Sequence, residues 1–176
     1  MNINIKRVLT DISTSLIPRL RSDLKPYGLD VDWQINSGIV TINVNEKGKN
    51  LTFAIIDIAS NYYDFNYSEL NKNSKYKGAE RIIKDFVLDV KLIKYLPKLE
   101  MALNKLYLVP LINEDYQITI KNVLDFGATV RVIDLRKGII DLQKGYAKLS
   151  INDVITMNEA VENFINKIGL VYDKEQ

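Results

Sequence analysis

The sequence contains no cysteine and no histidine. Without cysteine there is no disulfide frame, no thiol nucleophile and no thiolate-ligated metal. Without histidine the Ser-His and Cys-His dyads and every imidazole-ligated metal are excluded as well. The net charge is also small, with 24 basic residues against 22 acidic ones. A formal charge of +2 and an isoelectric point near 8.6 argue against a dedicated polyanion partner, because nucleic-acid domains carry clustered basic charge. The N-terminus, Met1 to Leu9, scatters charge through a short apolar pattern. It is therefore read as neither a secretory signal nor a membrane span, and synthesis in the cytoplasm is the expectation. There is no repeat of fixed period, no low-complexity tract and no linker that would split the chain.

The 176 residues, 47% hydrophobic and 26% charged, suit one α+β domain that buries a core without staples. Asn, Lys, Ile and Tyr are abundant and their codons are AT-rich, which points to a low-GC genome such as that of many bacteria and their phages.

Ile5, Leu9, Ile12, Leu16, Leu20 and Leu24 recur at helical spacing and predict a first helix, kinked or broken at Pro18, that "KPYGLD" ends. Val31, Trp33 and Ile35, then Val40, Ile42 and Val44, alternate with polar residues, and "LTFAIIDIA" is nearly continuous. Together they predict a three-stranded antiparallel meander with the third strand central, "NSG" in the first turn and "NEKGKN" as a longer hairpin loop. Ala79, Ile82, Ile83, Phe86, Val87, Val90 and Ile93 form the strongest helical stripe. Leu99, Ala102, Leu103 and Leu106 resume it after Pro97, giving a long bent helix or a helix pair with Pro97 opening the second segment. A second hairpin follows, from Tyr116, Ile118 and Ile120 and then "ATVRVIDL", with "IIDL" as a short further strand. Thr156 and Glu159 spell a capping box, so the last helix is expected from about Met157 to Ile168, stopped by Gly169.

Several short patterns invite chemistry. "DFG" at Asp125 to Gly127 matches the magnesium triplet of kinases, but no glycine-rich loop and no catalytic-loop histidine accompany it, so it reads as a hairpin turn. Asp89-Val90-Lys91 matches a nuclease fragment that requires a strand, whereas this stretch reads as helix. Asp57, Asp64 and Glu80 could converge on a metal, with a strand-end turn as the plainer reading of Asp57. Lys91, Lys94 and Lys98 follow helical spacing, as phosphate-tracking or simply solvated lysines do. Asn66-Tyr67-Ser68 fits a glycosylation sequon. No cofactor is expected.

"SNYYDFNYSELNKNSKYKG", Ser60 to Gly78, shows neither helical nor strand period and is read as a protruding loop at about 60–77. Long structureless loops inside compact domains tend to be functional. Tyrosine with asparagine and serine is the chemistry of an adaptable contact surface. Tyr62, Tyr63, Phe65, Tyr67 and Tyr76 are therefore the candidate protein-interface residues, on an arm that is mobile alone and ordered against a partner. The alternative is that these rings close over their own core.

The order of "RVLTDISTSLIPRL", the meander, "AERIIKDFVLDV" and a further strand resembles the topology of tailed-phage head–tail connector and tail-terminator proteins over about the first two-thirds of the chain. The resemblance implies a neck-ring component with loops protruding between subunits, a homo-oligomer that joins other assembly proteins, and residence in a virion. Three classes of function stay open: a non-enzymatic assembly protein, an accessory protein that binds and inhibits a host enzyme, and a magnesium-dependent nuclease using carboxylates.

Overall fold

The structure is a computed structural model that describes residues 3–60, 62–67, 69–70, 72–140 and 149–169. It is an α+β fold: helices α1 (Ile3–Asp11) and α2 (Ile17–Leu24), strands β1 (Asp30–Asn36), β2 (Ile39–Glu46), β3 (Lys49–Asp57) and β4 (Tyr62–Asn66), helix α3 (Lys77–Asn104), strands β5 (Leu108–Ile112), β6 (Gln117–Asn122), β7 (Ala128–Asp134) and β8 (Gly138–Ile140), and helix α4 (Ile151–Ile168). Where the sequence reads as one domain, the contacts divide it into two compact units, Met1–Val90 and Lys91–Gln176, parted inside α3.

In the first unit, α1 and α2 are joined by a π-helical turn, Ile12–Leu16, in which Ile17 N–H reaches back to Ile12 O. Pro18 explains this local change. It has no N–H to give to Thr14 O, and widening the preceding turn absorbs the missing bond. The hydroxyls of Thr10, Ser13 and Thr14 add bonds to backbone carbonyls three or four residues back. The apolar stripe survives the change of pitch: Leu9, Ile12, Leu16, Ile17, Leu20 and Leu24 are all buried.

The meander has four strands, in the order β1-β2-β3-β4, not the three expected. Its first two turns have two residues each, Ser37-Gly38 and Lys47-Gly48, all at positive φ as tight hairpins of the primed type demand. "NEKGKN" is thus shorter than a long loop, because Glu46 pairs directly with Lys49. One face carries Val31, Trp33, Ile35, Val40, Ile42, Val44, Ala54 and Ile56, in mutual register, and continues onto Tyr63 and Phe65 of β4. Leu20, Ile83 and Phe86 meet this face around a small apolar cleft that Phe65 also lines. The β2–β3 register shifts after Val44, while Asn45 stays on the polar face of β1 and β2, opposite Asp30, and its amide donates to Asp32 at 3.1 Å.

α3 is one helix with Pro97 inside it, not two segments. Proline leaves Ile93 O without its helical donor. The buried stripe Leu92, Tyr95, Leu99 and Leu103 continues through the position and holds the helix together.

The second unit has its own four-stranded sheet, order β5-β6-β7-β8, where a hairpin and one short strand were expected. β5 escapes the period-two pattern because it is an edge strand containing Pro110, and the edge is where a sheet tolerates proline. Asp141 and Leu142 of "IIDL" lie outside the described residues. Ile118, Ile120, Val130 and Ile133 are fully buried, as are Met157, Val161 and Ile168 of α4. Arg131, also buried, donates to Asn158 at 2.6 Å and ties β7 to α4. α4 starts six residues before the expected Met157, at Ile151. Its cap is Ser150, whose hydroxyl accepts from Asp153 N–H at 3.1 Å, while Thr156 donates to Asn152 O from within the helix.

Candidate protein-contact surfaces

The aromatic passage holds the fourth strand. Tyr62 to Asn66 pair with Asp57 to Phe53, so alternation splits the rings between faces. Tyr63 and Phe65 turn to the core side, stacked with centroids 6.4 Å apart, while Tyr62 turns outward and is 54% exposed. The segment after β4 is tied down as well. Thr52 donates to Asn66 O, Glu69 N–H to Leu51 O at 3.1 Å and Leu70 N–H to Tyr67 O at 3.2 Å, with Leu70 buried. Tyr67 is half-buried, and Tyr76 is 4% exposed. Tyr63, Phe65 and Tyr76 thus pack against their own unit while Tyr62 does not, and residues 62–66 form a paired strand where a protruding loop was expected. Asn61, Ser68 and Asn71 lie outside the described residues, the last residue of the sequon among them.

Tyr76 ends this passage on a polar anchor. Its hydroxyl donates to Glu46, and Lys75 Nζ lies 3.4 Å from both carboxylate oxygens and 4.7 Å above the Tyr76 ring. The Tyr76 hydrogen bond, followed by the Lys75 charge, holds the Glu46 carboxyl below its ordinary value. The Tyr76 hydroxyl, with Glu46, raises the Lys75 ammonium above its own. The cluster fastens the β2–β3 turn to the start of α3.

The acidic candidates, among the described residues, assemble into no metal-holding group. Asp57 accepts from Ala59 and Ser60 N–H at 3.1 and 3.3 Å, as a turn former does. Asp64 lies opposite Ile55 on the outer sheet face, and Glu80 pairs with Lys84 at 3.2 Å. Asp89 pairs with Arg19. Among the described residues no group of three or more acidic, histidine or cysteine side chains could hold a metal. Of the three helical lysines Lys98 is exposed, while Lys91 and Lys94 are half-buried. Burial lowers the ammonium of Lys91, which lies close to Gly169 at the end of α4, and Lys94 reaches over the Tyr95 ring at 5.4 Å.

A second surface, which sequence reasoning took only for a turn, lies between β6 and β7. Val123–Asp125 form a short 3-10 turn whose cap, buried Asn122, accepts from Leu124 N–H at 3.0 Å and through its carbonyl from Gly127 N–H at 3.0 Å. Val123 N–H donates to Tyr107 O at 2.9 Å. On this hydrogen-bonded knuckle Val123, Leu124 (71%) and Phe126 (103%) stand in solvent, with Tyr107 beside them exposed too. Phe126 and Tyr107 are both held at positive φ, 51° and 57°. An aromatic residue in that region costs of order 1 kcal/mol or more, and such strain gathers at functional sites. The signal was present in the sequence as three apolar residues in four positions of a turn, where polar ones belong.

No protein-family model matches the chain, and no curated protein or solved structure is significantly similar to it. Among the described residues no helix is long and apolar enough to cross a membrane.

Proposed function

We propose that this chain is a non-enzymatic assembly protein that works through protein–protein contacts, in the manner of a neck component of tailed-phage virions. The observation that carries the reading is the knuckle: Leu124 and Phe126 are displayed on a turn tied by the N–H groups of Val123, Leu124 and Gly127 and locally strained at Phe126. Exposed apolar side chains arranged as a group mark contact sites on protein surfaces, and a rigid anchor loses little entropy when it docks. The outward Tyr62 is the member of the aromatic set that remains available for a further contact.

Size-exclusion chromatography with light scattering tests the reading. A ring-forming assembly protein gives large symmetric oligomers, and Phe126→Ser reduces their mass without altering the far-UV circular dichroism. A wild-type chain that stays monomeric at all concentrations and joins no particle would favour the host-enzyme inhibitor instead. Magnesium-dependent cleavage of DNA would favour the nuclease.

A further inference from the structure

The four sheet edges of the two units differ in whether they can accept another strand. β5 carries Pro110, which has no N–H to offer, and β8 is described over only three residues. β4, paired with itself about its middle residue, would set Asp64 against Asp64. β1 has seven residues, no proline and no bulge. Its tight turn makes Asn36 and Ile39 a hydrogen-bonded pair, so the main-chain groups of Gln34 and Asp32 also face β2, and those of Val31, Trp33 and Ile35 face away from it. The Arg21 guanidinium reports the same direction, donating to Val31 O at 3.3 and 3.2 Å from the far side. Among the described residues no strand pairs with that row.

We propose that the outer edge of β1 takes the β1 of a second copy of this chain, antiparallel about a two-fold axis at Trp33. In that register Trp33 meets its own copy, and Val31 meets Ile35 of the second copy. These are the outward-facing residues, so each pair exchanges both main-chain hydrogen bonds. On the apolar face the two indoles and the Val–Ile pairs lie side by side, which fits the incomplete burial of Trp33 and Ile35 in the single chain. On the polar face Asp32 stands opposite Gln34 and Asp30 opposite Asn36, carboxylate against carboxamide, so each acid gains a donor. The like pair that remains, Asp32 with its copy, is diagonal, where separation is about 7–8 Å. Val31 O keeps a lone pair for the Ile35 N–H of the second copy while Arg21 holds the other. Such a two-fold contact closes at a dimer, so a ring would also need a heterologous contact, for which the knuckle is available.

The inference rests on the assembly reading and names a second copy as one partner. Gln34 is exposed and faces Thr41 within its own sheet, so its charge can be changed without disturbing the core. Sedimentation equilibrium at low salt should show Gln34→Lys tightening the dimer roughly threefold or more and Gln34→Glu weakening it by a similar factor, since each change acts twice across the axis. Both shifts should fade at high salt. Equal dissociation constants for the two variants, or shifts of the same sign, overturn the pairing, as does a wild-type chain that is monomeric at millimolar concentration. An oligomer indifferent to both Gln34 variants but dispersed by Phe126→Ser would remove the β1 pairing and leave the assembly reading standing.

Discussion

Glu46 shows how much one residue can fasten when its partners come from a distant stretch of chain. Its carboxylate ties the β2–β3 turn to Tyr76 and Lys75, and it titrates below its ordinary 4.5 chiefly because the Tyr76 hydroxyl donates to the charged form. A carboxyl whose folded value is depressed adds stability that is present above the unfolded value and is lost as pH falls through the folded one. Glu46→Gln should therefore lower the thermal midpoint at pH 7, with the gap to wild type closing as pH drops below 4.5. A gap that persists in acid would mean that the loss comes from packing. Tyr76→Phe should move the Glu46 titration upward by NMR. The cap of α4 gives a second comparison at this scale. Ser150→Ala should cost about 1 kcal/mol by urea denaturation, because Asp153 N–H loses its acceptor, while Thr156→Ala stays within roughly 0.5 kcal/mol. Equal costs would return the helix start to Thr156. Both Ser-x-x-Asp and Thr-x-x-Glu were present in the sequence, and the pattern alone does not rank one capping residue above the other.

At the scale of the element, regular stripes were legible, and so was the interruption at Pro18, which the structure takes up as the π turn Ile12–Leu16. The buried positions of α1, α2 and the first half of α3, and the alternation of β1, β2 and β6, follow from period alone. Three features resisted it for identifiable reasons. β4 has aromatic residues on both faces, so its apolar pattern does not alternate, although its pairing does. β5 is masked by an edge proline. Pro97 was given a helix boundary by the local rule, but the buried stripe on both sides of it overrides the missing hydrogen bond. Replacing that proline measures the override. Pro97 is exposed, so Pro97→Ala removes no core contact while giving Ile93 O a donor again. The variant should gain on the order of 1 kcal/mol or more, less the entropy that proline removes from the unfolded chain. Hydrogen exchange should show added protection after the substitution, centred on residue 97. A destabilised variant would mean that the local backbone is built around the proline ring.

For the molecule as a whole, the distribution of exposed apolar side chains is uneven between the two units. Tyr27, Ile39 and Tyr62 are the exposed large apolar residues of the first, and every other one described, from Met101 to Ile155, lies in the second. The tyrosine-rich passage drew attention in the sequence because composition is visible there, whereas exposure is a property of the folded turn. The exposed apolar knuckle consequently lies outside the passage whose composition stands out. Under the proposed assembly, the knuckle supplies a heterologous contact and the β1 edge an isologous one. They belong to different units and use different groups, so their energies should add. Leu124→Ser with Phe126→Ser should leave thermal stability close to wild type, since both side chains already stand in solvent, and should halt association at the dimer. Adding Gln34→Glu to that pair should shift the remaining dimer toward monomer by the same factor that it shows alone. Light scattering across a concentration series reads all three species. Assembly of the Leu124→Ser/Phe126→Ser protein to wild-type mass would remove the knuckle from the interface. A triple variant whose dissociation constant departs from the product of the separate effects would show that the two surfaces share one contact.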